Sequence, residues 1–175
     1  MEETLPYDID SENVVLGSLI KDIEEYDKVA KYFLEKDVFY QRKAQLLWEL
    51  VVDMKRKGEH IDLLSVCAKL GKNESKKGLT KHYVAVCTSD TCVKGVAEYY
   101  ATRIYEKYLL RKVIVKSEEI SDKTKSNDGD IYDKINEAHS LYGELLHSRP
   151  SFAQDIEDVI SETLHSIENK TTKLI

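Results

Sequence analysis

The stretch Lys43-Ala-Gln-Leu-Leu-Trp-Glu-Leu-Val-Val-Asp-Met-Lys-Arg-Lys-Gly58 carries the clearest structural signal in the chain. Its apolar residues recur every three or four positions, which places them on one face of a helix: Leu46, Leu47, Leu50, Val51 and Met54. Trp48 widens that face, and Gly58 is a residue type that commonly follows a helix end. The pattern predicts an amphipathic helix over residues 43–57.

Short helices are predicted on both sides of this stretch. Asp8 is a good N-cap for a helix with an apolar face at Val15, Leu16, Leu19, Ile20 and Ile23. A second helix is expected near residues 23–34, and then a turn at 37–40 whose two aromatic residues should anchor it to the core. Asp62 should cap a helix over 63–70, and another helix is expected over 81–87. We interpret residues 1–91 as a small globular helical head.

Composition agrees with an all-α protein. The chain has 175 residues, of which 7 are Gly and 2 are Pro. So few turn-forming residues argue against a β-sandwich or a β-barrel. The net charge is −6, which is not typical of a dedicated duplex DNA-binding protein. No apolar run is long enough to cross a membrane, so we expect no membrane contact.

A change of pattern after residue 91 predicts a helical hairpin over 92–147. One long helix is expected from about Val93 to Ser121, and a polar loop follows at 121–129. The next helix has a clean apolar stripe, and a short loop between two helices favours an antiparallel pair. Residues 148–175 are interpreted as a linker with a C-terminal amphipathic helix near 155–168. Its narrow stripe is expected to dock on another chain, through Ile156, Ile160, Thr163 and Ile167.

Motifs for catalysis or metal binding are missing from the sequence. There is no P-loop pattern, since the one Gly-Lys pair, Gly71-Lys72, is followed by Asn73. His82, Cys87 and Cys92 match no common zinc spacing. We therefore expect no catalytic residue, no cofactor and no metal ion in this chain. An enzyme with an unrecognised site stays open as a minor hypothesis.

Two features bear on nucleic acids. One is a group of basic residues that could contact nucleic-acid phosphates: Lys55, Arg56, Lys57, Lys72, Lys76 and Lys77. The alternative is that they are ordinary surface residues, because lysine is common at exposed helix ends and in loops. Of the 11 tyrosines, four lie on the long helix: Tyr99, Tyr100, Tyr105 and Tyr108. We favour a subunit interface for them, ahead of packing within one chain or stacking on single-stranded bases.

The order of several short blocks resembles the N-terminal part of the DnaB-type replicative helicases. The first block is Leu5-Pro6-x-Asp8-Ile9-Asp10-Ser11-Glu12-x-Val14-Val15-Leu16-Gly17. Asp37-x-Phe39-Tyr40, Leu46–Leu50 and Gly58-Glu59-x-Ile61-Asp62-Leu63 follow in the family's order. The last is Tyr100-Ala101-x-x-Ile104-x-Glu106-Lys107-x-Leu109-Leu110-Arg111, preceded by Gly78 and Tyr83. Ala44 stands where the family usually has histidine, which suggests a divergent member, bacterial or phage-encoded.

This resemblance implies an assembly domain. In that family a helical head and hairpin pair with a second copy, and three pairs form a collar on a hexameric ring that docks primase. The linker helix packs on a neighbouring subunit and is a place where loaders act. The resemblance then places hairpin packing at Tyr100, Ile104, Tyr108, Ile135, Ala138 and Tyr142. It suggests primase contact near Tyr83, Ile114 and Ile120.

The family also sets an expectation for the rest of the protein. Its RecA-like ATPase domain binds ATP and Mg and moves on single-stranded DNA, in the cytoplasm of a bacterial or phage-infected cell. The chain stops at Ile175, close to where such a domain would begin, so we interpret it as a fragment of a helicase. The alternative is a free-standing adaptor with the same domain that binds a helicase or a primase.

Overall fold

The computed structural model describes residues 5–70, 78–90, 95–125 and 130–147, without the side chains of residues 90 and 144–147. Within these ranges every regular element is helical, which confirms the predicted all-α class. Two 3-10 turns lie at Ile23–Glu25 and Lys36–Val38. The α-helices are α1 (Ile9–Lys21), α2 (Tyr26–Ala30), α3 (Arg42–Arg56), α4 (Leu63–Lys69), α5 (Lys81–Asp90), α6 (Ala97–Lys125) and α7 (Ile131–His147).

Helix α3 forms where its apolar pattern predicted it. Leu46, Leu47, Trp48, Val51 and Met54 are buried. The helix ends in the hydrogen-bond pattern of a Schellman motif: the Glu59 amide donates to the Met54 carbonyl and the Gly58 amide to the Lys55 carbonyl, both at 3.0 Å. Gly58 has a φ of +66°, a left-handed conformation that glycine adopts without steric cost.

Local capping also sets two other helix starts. The Asp8 carboxylate accepts a hydrogen bond from the Ser11 amide at 3.1 Å and caps α1. Asp62 and Ser65 form a reciprocal capping box at the start of α4, with distances of 2.7 and 2.9 Å. The predictions that Asp8 and Asp62 act as N-caps are therefore confirmed.

The centre of the head is α1, which packs against α3, α4, α5 and α6. An aromatic cluster closes one side of this core. Phe33 lies 4.7 Å from Phe39 and 5.1 Å from Trp48 between ring centroids, and Tyr26 stacks on Trp48. The prediction that both aromatic residues of the 37–40 turn enter the core is half right. Phe39 is fully buried, but Tyr40 is exposed and stacks on Tyr7.

The long helix α6 begins and ends about four residues later than the sequence pattern predicted. Its first residue is Ala97, and Val96 before it has an apolar side chain that cannot accept a capping hydrogen bond. The cap comes instead from Glu25, about 70 residues earlier in the chain. Its buried carboxylate accepts hydrogen bonds from the amides of Gly95 and of Ala97.

The first half of α6 belongs to the core of the head. Ala97, Ala101, Ile104, Tyr105 and Tyr108 are buried in the same cluster as the apolar residues of α1 and α3. The packed core of the head therefore extends to Tyr108, beyond the boundary at residue 91 that the change of sequence pattern suggested. The second half of α6 and the whole of α7 form the hairpin that leaves the head.

Replacing Glu25 by Ala should lower the free energy of unfolding by about 1–3 kcal/mol, because two amides at the start of α6 lose their acceptor in a buried place. Urea unfolding followed by circular dichroism at 222 nm measures the loss. The matched control is Glu24→Ala, which removes the exposed neighbouring carboxylate and should change stability little. Equal effects of the two substitutions would contradict the role of Glu25 as a cap.

Candidate assembly surface

The two helices of the hairpin are held together mainly by polar contacts. The Ser117 hydroxyl lies 3.0 Å from the Tyr142 hydroxyl, and the Lys134 ammonium donates to the Thr124 carbonyl at 3.3 Å. Lys123 pairs with Glu137 across the hairpin. Among the α7 side chains that the structure describes, residues 131–143, Leu141 is the one that is buried. The hairpin thus has little apolar core of its own.

An apolar stripe runs along one side of α7, next to the contact with α6: the Tyr142 hydroxyl meets Ser117, and Ala138 lines the narrow space between the two helices. Ile131, Ile135 and Tyr142 are 65%, 56% and 42% exposed, and Ala138 between them is half-buried. Spacings of four, three and four residues place these side chains on one helix face. Leu110 and Val113 on α6 are exposed as well. Exposed apolar side chains that share one helix face are typical of a site for another protein surface.

The predicted hairpin residues divide between this stripe and the head. Ile135, Ala138 and Tyr142 lie on the stripe, where a subunit interface through them stays a prediction. Ile104 and Tyr108 are only 1% and 5% exposed, because they pack in the core of the head. They have almost no surface left to bury against a second chain, so an interface through them does not fit the structure. Tyr100 is half-buried against the same core.

The residues suggested for primase contact do not form one surface. Tyr83 is 5% exposed, since α5 packs it into the head, and the Lys43 ammonium lies 4.3 Å from its ring centroid. Tyr83 therefore cannot offer its ring to a partner. Ile114 and Ile120 are half-buried on the hairpin, and Ile120 lines the small space between α6 and α7. The linker residues Ile156, Ile160, Thr163 and Ile167 lie outside the described residues.

The basic patch considered for DNA is largely neutralised by nearby acids. Lys55 lies 3.0 Å from Asp27 and Lys57 lies 2.6 Å from Asp53. Lys69 lies 2.7 Å from Glu59. Lys72, Lys76 and Lys77 are outside the described residues. Base stacking has little support on α6, where Tyr105 and Tyr108 are buried and Tyr99 packs edge-on against Tyr100 at 5.2 Å.

No metal site appears in the part of the chain that the structure describes: no three His, Cys, Asp or Glu side chains there are placed to hold an ion. His82 is exposed on α5 and Cys87 is buried, while Cys92 is not among the described residues. An open cavity of about 440 Å³ lies on the head between Ile20, Ile61, Leu63 and Thr88. None of the helices that the structure describes is long and apolar enough to cross a membrane.

Arg111 joins the head to the base of the hairpin, and the sequence pattern did not single it out. Its guanidinium donates to three backbone carbonyls, those of Pro6 (2.9 Å), Asp37 (3.1 Å) and Val38 (2.6 Å). Burial lowers the pKa of Arg111 from its usual value, opposed by the charge of Glu12. The signal in the sequence was the Leu109-Leu110-Arg111 block, which carried the resemblance without a role for the arginine.

Comparison with known proteins now places this architecture. A family model described as DnaB-like helicase N terminal domain matches residues 4–106. The chain belongs to that family. The crystal structure of the N-terminal domain of DnaB helicase from Mycobacterium tuberculosis aligns with a TM-score of 0.71 and 22% identity, over 81% of this chain and 99% of that one. The DnaB-like head and hairpin are therefore a shared fold.

Relatives of this DnaB-like chain are replicative helicases. The replicative DNA helicase DnaC of Bacillus subtilis is 24% identical over 166 residues, which cover 93% of this chain and 36% of the relative. The replicative DNA helicase DnaB of Geobacillus stearothermophilus is 25% identical over 169 residues, 95% of this chain and 37% of the relative. The chain spans little more than a third of the length of these relatives.

A second solved structure concerns a helicase together with a partner. The structure of a DnaB-like replicative helicase and its interactions with primase aligns with a TM-score of 0.64 and 20% identity. The match covers 88% of this chain and 35% of that chain. At this identity the likeness supports the fold.

Beside Arg111, the buried carboxylate of Glu12 ties α1 to the start of α3. It accepts hydrogen bonds from the amides of Tyr40 and Gln41, the second at 3.3 Å. Burial raises the pKa of Glu12 from 4.5 to about 7, although these hydrogen bonds and the charge of Arg111 favour the ionised form. Asp8 adds a small upward effect.

This raised pKa predicts a pH-dependent stability. The folded protein binds the Glu12 proton more tightly than the unfolded chain, so the contribution is complete below about pH 4.5 and is lost as pH rises through about 7. Urea unfolding at pH 5, 6, 7 and 8 should show the free energy of unfolding falling by about 1–3 kcal/mol. Glu12→Gln has no such proton and should give a flatter profile, whereas parallel profiles would contradict the assignment.

Proposed function

We propose that this chain is the assembly domain of a hexameric replicative DNA helicase, and that it joins subunits by pairing hairpins with a second copy. The exposed stripe at Ile131, Ile135 and Tyr142 carries the proposal. Membership of the DnaB-like family supports the setting in DNA replication. A free-standing adaptor with the same domain is the alternative.

The physical argument rests on what the hairpin lacks. Its two helices share little apolar contact, while the apolar face of α7 lies in water. A second hairpin laid on this face would bury both stripes at once and complete a four-helix core. Such a twofold contact needs no surface other than the stripe itself, because the same residues meet from both sides.

Activity and small ligands are placed elsewhere in the parent protein by this proposal. ATP, Mg and single-stranded DNA would bind to an ATPase domain like that of the family, and this chain would bind none of them as a cofactor. The helicase loader would act at the linker helix, whose docking residues we propose to be Ile156, Ile160, Thr163 and Ile167. The protein would work in the cytoplasm of a bacterial or phage-infected cell.

Hairpin pairing is tested by the mass of the particle in solution. We expect the chain to form dimers or trimers of dimers, and Ile135→Asp to convert them to monomers, because a carboxylate would be buried without a partner. Sedimentation equilibrium measures the change. Ser140→Asp adds the same charge to an exposed position on the opposite face of α7 and should leave the assembly intact. Monomers for the unaltered chain would refute hairpin pairing.

We further propose that a primase docks on the paired hairpins. The likeness to a replicative helicase that interacts with primase supports this partner, and Ile114 is half-buried near the base of the hairpin, so that part of its apolar side chain lies at the surface. Tyr83 is left out of the docking surface because it is buried.

Calorimetric titration with the primase of the same genome tests this docking. Ile114→Asp should weaken primase binding at least about tenfold, because the substitution replaces an apolar side chain in the proposed contact with a charged one. Leu64→Asp alters an exposed leucine on α4 of the head and is the matched control. Sedimentation of both variants separates a lost primase site from lost pairing, and equal binding by all three proteins would exclude Ile114 from the site.

A further inference from the structure

A group of basic side chains lies where α3 and α5 begin. We define the basic face as Arg42, Lys43, Lys81 and His82, of which Lys43 is half-buried and the others are exposed. The Lys43 ammonium lies 4.3 Å from the ring centroid of Tyr83, on the first turn of α5. The starts of the two helices therefore adjoin, and three positive charges and an imidazole share one end of the head.

The positive charge of the basic face is not neutralised by the part of the chain that the structure describes. There, no carboxylate forms an ion pair with Arg42, Lys43 or Lys81, and the Arg42 guanidinium donates to the neutral amide of Gln45 at 2.9 Å. The lysines at the end of α3 and on α4 differ, because each of them is paired with an acid. The basic face therefore keeps a positive charge that suits an anionic partner.

The two helix starts add to this positive potential. Aligned peptide dipoles give the first turn of a helix a partial positive charge, and neither α3 nor α5 has an acidic residue in its first turn. Gln41 before α3 makes no side-chain capping bond. The buried Glu12 carboxylate accepts hydrogen bonds from the amides of Tyr40 and Gln41 and offsets part of the charge from beneath.

An acidic segment of the same chain matches this face. Residues 155–168, which lie outside the described residues, contain five Asp and Glu residues and no Lys or Arg. In the helix that their spacing predicts, Asp155, Asp158 and Glu162 share one side, because they recur at intervals of three and four residues. At about 100° per residue, the apolar stripe through Ile156 and Ile160 falls nearly opposite. One side of the segment can therefore meet a basic surface while its stripe stays uncovered.

The end of α7 lies near the base of the hairpin. Tyr142 of α7 meets Ser117 of α6, and α7 continues for five residues to His147. Because the two helices are antiparallel and have the same rise of about 1.5 Å per residue, His147 is about level with Lys112 of α6. The acidic segment thus follows a helix that ends beside the head.

The distance from this point to the basic face is within reach of the chain. The Lys112 ammonium lies 3.4 Å from the Asp37 carboxylate, and Arg42 follows Asp37 by five residues, which span at most about 17 Å. Residues 148–154 can extend over about 25 Å. The length of this spacer therefore allows the acidic segment to meet the head of its own copy.

We propose that residues 155–168 dock on the basic face of the head of the same copy, with Asp155, Asp158 and Glu162 against the basic side chains. The docked segment would lie beside its own head with its apolar stripe turned outward, free for a neighbouring chain. This contact depends neither on hairpin pairing nor on primase docking, since it uses none of the residues assigned to them.

Carbodiimide crosslinking of the full chain, read by mass spectrometry of its peptides, tests the contact. The reagent joins a lysine amine to a carboxylate as an amide without a spacer, so it reports direct neighbours. We expect crosslinks from Lys43 and Lys81 to carboxylates of residues 155–168. Their yield should fall at least about fivefold when NaCl is raised from about 0.05 to about 0.5 M, because salt screens exposed charges.

Charge reversal supplies the matched variants. Lys81→Glu should lower the yield of the Lys43 crosslink at least about fivefold, since it sets a repulsive charge on the face. Lys28→Glu is the control: Lys28 is exposed on α2, and its neighbour Asp27 pairs with Lys55 at the other end of α3. This variant makes the same change of charge and should leave the crosslink intact. Circular dichroism checks that both variants are folded.

A charge swap and isotope labelling complete the test. Asp158→Lys with Glu162→Lys should lower the crosslinks from Lys43 and Lys81, and adding Lys81→Glu should restore one between position 81 and the segment. In a mixture of nitrogen-15-labelled and unlabelled chains, unfolded in urea and refolded together, each crosslinked pair should be wholly labelled or wholly unlabelled. Pairs that join the two kinds of chain would overturn docking within one copy. Missing crosslinks from Lys43 and Lys81, or equal losses in Lys81→Glu and Lys28→Glu, would overturn the contact itself.

Discussion

The hydrogen bonds of the Arg111 guanidinium connect the head of this molecule to its hairpin. The guanidinium is buried at the base of the hairpin and gathers the carbonyls of Pro6, Asp37 and Val38, which come from two separate segments of the head. A buried charge of this kind is tolerated because three backbone carbonyls accept hydrogen bonds from it. Through it the N-terminal segment, the turn before α3 and the long helix are held in one arrangement.

The long helix α6 explains why a small head can carry a rigid hairpin. Its first half is a core element, with Ile104 and Tyr108 buried among the residues of the head. Its second half continues the same hydrogen-bonded rod into the hairpin, so no flexible joint separates the two. Helix α7 carries apolar side chains that no other part of the described chain covers. Exposed apolar surface of this kind is typical of an interface.

Two buried carboxylates accept hydrogen bonds from backbone amides in segments far away in the chain, as local N-cap side chains do at other helix starts. Glu25 caps α6, and Glu12 holds the amides before α3. Both serve helix starts that lack a capping side chain of their own. The amide donors offset part of the energetic cost of burying a carboxylate; at Glu12 burial outweighs them and raises the pKa to about 7. The head is thereby assembled from contacts between residues far apart in the chain.

Much of this protein was determined by the sequence alone. The apolar periodicity of α3, the caps at Asp8 and Asp62 and the order of family blocks predicted helices, class and family, because these signals are local. The stripe through Ile135 and Tyr142 was visible for the same reason. Tertiary structure decided what local signals cannot: that Tyr83 and Tyr108 are buried, that Tyr40 is exposed, and that α6 starts where Glu25 reaches it. Whether a side chain is buried depends on which helix, often from a distant part of the chain, packs against it. The spacing of apolar residues within one helix does not reveal that partner.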